Sequence, residues 1–273
     1  MIERQGKAVL VKRELQYSGK SEDDLRILTH LANSLTADGF DTSVMAAEEF
    51  LSSDCQYDCD IVASMARGLE INATLQLLKD QRQLYIYNSP GAILASLSKY
   101  YTYLRMERAS LMVPQYSLFT LEQNCDQYDR SWGKCIFKAA HGHDLWFVVE
   151  NKFQFESCKE TYLKKGHNQV IRQKFIDGMH VKFYGIFSLI TFPGSVDSLP
   201  IALKAAIKDI AYQLRDLSGL QIFGGDLMVD VKNSAIYCLD VNDWPSFGTL
   251  PNFPQTEAAS CISSFIQANS PLR

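Results

Sequence analysis

The sequence predicts an α/β fold that turns to α+β in its C-terminal part, and three observations predict it. Apolar strands alternate with helical stretches over the first third of the chain. Past Pro114 the pattern changes to strands of an antiparallel kind. The segment "IFGGDLMVDVKNSAIYCLDVNDWPSF" (222–247) then reads as a hairpin of two half-buried strands that carry Asp226, Asp240 and Asn242 where branched and aromatic residues would pack better.

The elements follow in order. "AVLVK" (8–12) has the composition of a buried strand, and "LRILTHLANSLTADGF" (25–40) has helical apolar spacing that stops at Gly39. "DTSVMAA" and "CDIVASMA" read as further strands, "INATLQLLKDQ" as a helix, and "QLYIYN" as a strand stopped by Asn88 and Pro90. Strands alternating with helices argue for a parallel sheet. One helical stretch is expected over 91–111, and a boundary near residue 110. Beyond it come strands within 133–150 and 169–186, a helix over 201–219, the hairpin, and a closing helix over 256–269. No G-x-G-x-x-G follows the first strand and no G-x-x-x-x-G-K-[ST] occurs, so the opening unit is Rossmann-like in architecture only.

Composition narrows the function classes. The 273 residues are 47% apolar, ordinary for a folded globular chain. A formal charge of -4, from 27 basic and 31 acidic residues, gives no electrostatic footprint for nucleic acid. No run approaches the roughly 20 apolar residues of a membrane span, and the opening lacks the apolar stretch of a signal peptide, so a cytoplasmic location and no membrane partner are expected. Seven scattered cysteines read as reduced thiols. Cys55 and Cys59 lie close, but no second pair follows at zinc-site spacing.

The hairpin invites a metal. If Val231 pairs with Ala235 across Lys232, Asn233 and Ser234, Asp226 falls opposite Asp240, and period-two alternation sets Asn242 on the same face. Facing residues of an antiparallel pair have Cβ atoms about 4.5–5.5 Å apart, so the two carboxylates repel unless a cation lies between them. Hard oxygen ligands suit Mg2+, which fills its shell with water and substrate phosphates and so implies a nucleoside triphosphate nearby. The alternative is a solvent-facing strand with ordinary acids. Asp230, further along, reads as plain surface. A lysine at 138, in a strand of Cys, Ile and Phe, would be a costly inward charge without an anionic ligand.

With "FGGD" fourteen residues ahead of "DVNDWPSF", the segment resembles the ATP-grasp superfamily. Phe137-Lys138 before a Gly-containing loop resembles that family's strand-borne lysine, "RQKFIDG" (172–178) its adenine hinge, and "VKFYGI" (181–186) the strand that follows. The resemblance implies an ATP-grasp fold preceded by a small Rossmann-like domain: residues 1–110 N-terminal, 111–186 the small subdomain, and 187–273 the C-terminal subdomain with the metal site. It implies ATP and Mg2+ as cofactors, with Lys99, Lys138 and His143 at the phosphates and Lys174, Phe175 and Ile176 flanking adenine. Asp177 would sit by the ribose, Asp226, Asp240 and Asn242 on Mg2+, and Lys182 and His141 in catalytic roles. Two departures are Lys174, where the hinge carries an acid, and the short, glycine-poor loop "AAHGHD". The implied activity is a carboxylate–amine or thiol ligase acting through an acylphosphate on a small-molecule acid. The alternatives are a polyol kinase of the inositol phosphate kinase type, which "AHG" and "VKFY" also resemble, and an inactive nucleotide-binding protein. Against the kinase, the N-terminal third lacks clustered Lys and Arg.

Overall fold

The computed structural model describes every residue except 1–5, 18, 83, 122–129, 142–144, 249–253 and 270–273. The first elements are β1 (Lys7–Val11), α1 (Ser21–Ala37), β2 (Asp41–Met45), α2 (Ala47–Ser52), α3 (Cys55–Asp58), β3 (Ile61–Ser64), α4 (Leu69–Gln81) and β4 (Tyr85–Tyr87). Next come α5 (Pro90–Ser96), α6 (Lys99–Arg108), β5 (Tyr116–Thr120), β6 (Cys135–Ala139), β7 (Trp146–Val149), α7 (Lys152–Lys164) and β8 (Gln169–Lys174). The chain continues through β9 (Met179–Ile186), β10 (Leu189–Thr191), α8 (Ile201–Ser218), β11 (Ile222–Asp230), β12 (Ala235–Asp243) and α9 (Gln255–Asn269). Contacts divide it into a first unit of Met1–Ala95, Lys182–Gly225 and Val241–Arg273, and a second of Ser96–Val181 and Asp226–Asp240. A further sheet has the order β10-β9-β11-β12.

In the first unit, β1 to β4 form a parallel sheet of order β2-β1-β3-β4. Side chains alternate across it. Ala8, Leu10, Ile61 and Ala63 pack with Ile27, Leu28 and Leu31 of α1 and Ile262 and Ile266 of α9, while Val9, Val11 and Val62 pack with Phe50, Ile71 and Leu75. Burial on both faces explains why these strands read as continuous apolar runs. Helix α8 buries Leu203, Ile207, Ala211 and Leu214, and stops at Gly219, whose φ of 70° closes the helix in the left-handed region. At Gly185 a Cβ would lie 2.1 Å from the buried Phe223 ring, so β9 needs glycine there.

In the second unit, β5-β8-β6-β7 is antiparallel. Phe119, Cys135, Phe137 and Val170 face Phe155, Cys158 and Tyr162 of α7, and the Tyr162 hydroxyl donates to the Phe137 carbonyl at 2.9 Å. The opposite face carries Tyr116, Ile136, Lys138, Ile171 and Gln173, because residues paired across the ladder share a face.

Two features depart from the sequence expectation. The single helix over 91–111 is two: Ser98 interrupts it, accepting the Tyr101 N–H as N-cap of α6 and bridging to His141, while the Lys99 N–H donates to the Ala140 carbonyl. Tertiary pairing of the backbone outweighs helical continuity there. Helix α7 went unforeseen, although Asn151 caps it and Phe155, Cys158 and Tyr162 recur at helical spacing. Among the described residues no helix is long and apolar enough to cross a membrane.

Candidate nucleotide and metal site

Strand β6 positions Lys138 by alternation: Phe137 and Ala139 enter the α7 core, so Lys138 projects from the other face. Its ammonium lies 3.2 Å from the Tyr103 hydroxyl and 3.4 Å from the Leu239 carbonyl. Burial lowers its pKa, opposed by the nearby carboxylates of Asp240 and then Asp226. Tyr103 belongs to α6, one helical turn beyond Lys99, and its own hydroxyl donates to the Leu239 carbonyl at 2.8 Å. Burial, then Asp240, holds this phenol well above its ordinary range.

Both hairpin acids of this unit meet basic side chains of the chain itself. Lys99 donates to Asp240 at 2.8 Å, with the lysine side chain only 7% exposed, and His180 Nε2 lies 2.7 Å from Asp226 Oδ1. The Lys99 ammonium offsets the negative charge of Asp240. Among the described residues no group of three or more His, Cys, Asp or Glu side chains gathers as a metal cage. Two carboxylates with water and substrate phosphates are the kind of sparse, hard set that Mg2+ takes. In the first unit, the Asn242 Oδ1 is buried with no hydrogen-bond partner. Asp230 has a different task, accepting from the Asn233 backbone N–H and side-chain amide to build the hairpin turn.

Beyond β8 the chain turns through the hinge. The Lys174 and Phe175 N–H groups donate to the carbonyls of Gln115 and Lys134, and the Lys134 ammonium lies 4.3 Å from the centre of the half-buried Phe175 ring. Lys174 and Asp177 are exposed, Ile176 is half-buried, and His141 is exposed at the end of β6. His143 lies outside the described residues.

The first unit holds Lys182 and Asn242. The Lys182 ammonium stands 5.9 Å from the Tyr184 ring centre. Next to Asn242, Asp243 is fully enclosed: Arg67 donates to it at 2.6 and 2.9 Å and Arg13 at 3.4 Å. Arg13 also donates to Asp24 at 3.0 Å and to the Trp244 carbonyl at 2.7 Å. Burial alone would push the Asp243 carboxyl up; Arg67 and Arg13 overcome it and hold the group below the usual range.

An α/β sheet, an antiparallel lysine-bearing sheet and a C-terminal acidic hairpin thus succeed one another along the chain, and solved structures share its fold almost end to end. D-alanine–D-alanine ligase from Bacillus anthracis, complexed with ATP, matches with a TM-score of 0.75 at 13% identity, over 96% of this chain and 99% of its own. It has the ATP-grasp fold. D-alanyl-alanine synthetase A from Vibrio cholerae matches at 0.74, with 14% identity over 98% of this chain and 99% of that one. The ATP-grasp ligase PsnB, complexed with a minimal precursor, does so at 0.68, with 17% identity over 97% and 99%. No protein-family model matches the sequence and no curated protein does, so the likeness is carried by structure.

Sequence reasoning missed Tyr103, His180, Gln173, Arg13 and Arg67. Tyr103 could have been found, since it falls four residues after Lys99 on one helical face. His180, Gln173 and the arginine pair around Asp243 had no local signal: each earns attention only through partners or surroundings set by the fold.

Proposed function

We propose that this protein is an ATP- and Mg2+-dependent carboxylate–amine (or thiol) ligase acting through an acylphosphate. The observation that carries the reading is Lys138, an inward lysine on an ATP-grasp sheet whose charge lies in the field of both hairpin carboxylates. Lys99, Lys138 and His143 would hold the triphosphate, and Phe175 would lie along the base, with Lys174 beside it. With the Lys174 and Phe175 N–H groups engaged, backbone reading of adenine falls to Ile176. Asp177 would meet the ribose. Asp226, Asp240 and Asn242 would hold Mg2+, which when bound neutralises charge on the phosphates.

In the reaction a substrate carboxylate oxygen bonds to the γ-phosphorus as the bond to the ADP oxygen breaks. The amine nitrogen then adds to the acyl carbon, phosphate leaves, and the amine loses a proton. Phosphoryl transfer asks the protein mainly for positioning and cations, which Lys138 and Lys182 would provide, with His141 beside them. The acceptor would be chosen by the proposed N-terminal domain, residues 1–110. A polyol kinase is the second reading, favoured by "AHG" after Lys138 and by "VKFY".

Hydroxylamine separates the two. Incubation with ATP, Mg2+ and candidate carboxylic acids should yield a hydroxamate together with ADP. A stable phosphate ester formed from a polyol would replace the ligase reading with the kinase one. Tight ATP binding with no acceptor-stimulated ADP release would replace both with a nucleotide-binding protein.

A further inference from the structure

Lys99 is the first residue of α6, a poor place for an ammonium on helical grounds, because the N-terminal end of a helix carries partial positive charge. What holds it is tertiary. Its side chain is 7% exposed and its Nζ donates to Asp240 Oδ2 at 2.8 Å. One helical turn on, the Tyr103 hydroxyl donates to the Leu239 carbonyl, so one face of α6 grips two successive residues of β12. All four residues belong to the second unit.

The charges there are already balanced. Against the carboxylates of Asp226 and Asp240 stand the ammonium of Lys99, in contact with Asp240, and that of Lys138, whose charge lies in the field of both. The Asp240 and Asp226 side chains are 19% and 23% exposed, so a hydrated ion reaches them from solvent. At Asp240 it meets a carboxylate that already holds a cation. An ion taking Asp240 alone would leave the nearly enclosed Lys99 ammonium without that counter-charge, and a buried charge that loses its partner is costly. A triphosphate removes the cost by offering the ammonium new anionic oxygens.

We infer that Lys99 is the resident cation of the proposed metal site: it holds Asp240 until Mg2+ and a triphosphate displace it together, the metal ion taking the carboxylate and the phosphates taking the ammonium. The inference rests on the ATP and Mg2+ reading above and deepens it, since it makes each ligand depend on the other. Coupling of this kind is reciprocal and commonly amounts to about 5- to 150-fold in affinity. A metal ion without nucleotide therefore binds weakly, and nucleotide without metal has to draw Lys99 away from Asp240.

The test uses the full chain and equilibrium binding. Mn2+, which shares the preference of Mg2+ for oxygen and is followed by EPR, reports the metal without nucleotide, and ATP in excess EDTA reports the nucleotide without metal. Lys99→Met keeps the length of the side chain and deletes its charge. It should bind Mn2+ about 10-fold or more tighter than wild type and ATP about 10-fold or more weaker, and Lys99→Arg should move both back toward wild type. Opposite signs are the signature, since a merely structural role for Lys99 would weaken both together. A Lys99→Met protein that binds Mn2+ no tighter than wild type overturns the inference. The wild type supplies a second measurement that does not depend on the variant folding: lysine acylation, quantified at Lys99 by peptide mass spectrometry, should accelerate at saturating Mn2+ and slow again when ATP is added. A rate at Lys99 indifferent to Mn2+ overturns the inference as well. Wild-type protein that binds no ATP, with or without metal, overturns the ATP reading itself, a different result from ATP binding in a protein whose Lys99 ignores Mn2+.

Discussion

At the scale of single residues, Asp243 shows how a buried charge is tolerated. Its carboxylate is 0% exposed and stays ionised because two guanidiniums surround it, one of them also bound to Asp24. Removing one partner of such a set strands the others, so Asp243→Asn should lose about 3–5 kcal/mol of stability near neutral pH. The acid dependence follows from the sign of the shift. The folded-state pKa lies below the unfolded one, so the contribution is complete above about pH 4 and is lost as pH falls through the lower folded value. Denaturant unfolding followed from neutral pH down to about pH 2 should show a steeper acid loss in the wild type than in Asp243→Asn. Parallel acid limbs would mean that Asp243 does not stay ionised in the folded protein.

At the scale of elements, β9 is set by what it passes. Gly185 sits where a methyl group would meet three carbons of the Phe223 ring at 2.1, 2.2 and 2.6 Å, and that ring is fully buried with no room to swing. Gly185→Ala should therefore cost about 1–3 kcal/mol by overpacking, measured by urea unfolding, and Phe223→Leu in the same chain should recover part of it. An additive loss in the double variant would show that the ring and the strand do not meet. The split between α5 and α6 belongs to this scale too. One helix over 91–111 would satisfy local propensity, yet Ser98 and Lys99 give their backbone to the loop after β6, which brings Lys99 into its ion pair with Asp240.

For the whole molecule the proposal is one of linkage. A ligand that binds only the folded chain stabilises it by about 2.7 kcal/mol at a concentration 100 times its Kd. ATP should raise the wild-type Tm, and Mg2+ added with ATP should raise it further. In Asp240→Asn the ATP increment should remain and the Mg2+ increment should disappear. Its metal-free protein should be less stable, because the buried Lys99 loses the charge of Asp240. An undiminished Mg2+ increment in that variant would take Asp240 out of the metal set.

What the sequence determined by itself was local. Period-two and helical spacing placed the β/α alternation, the hairpin of 222–247 and a lysine facing out of a strand of Cys, Ile and Phe, because such patterns depend on neighbours a few residues apart. The fold alone decided that Asp243 meets Arg67 and Arg13, 176 and 230 residues earlier in the chain, and that His180 meets Asp226. A side chain's partners across such separations are fixed by which surfaces pack together, and burial makes the Asp243 charge depend on those partners.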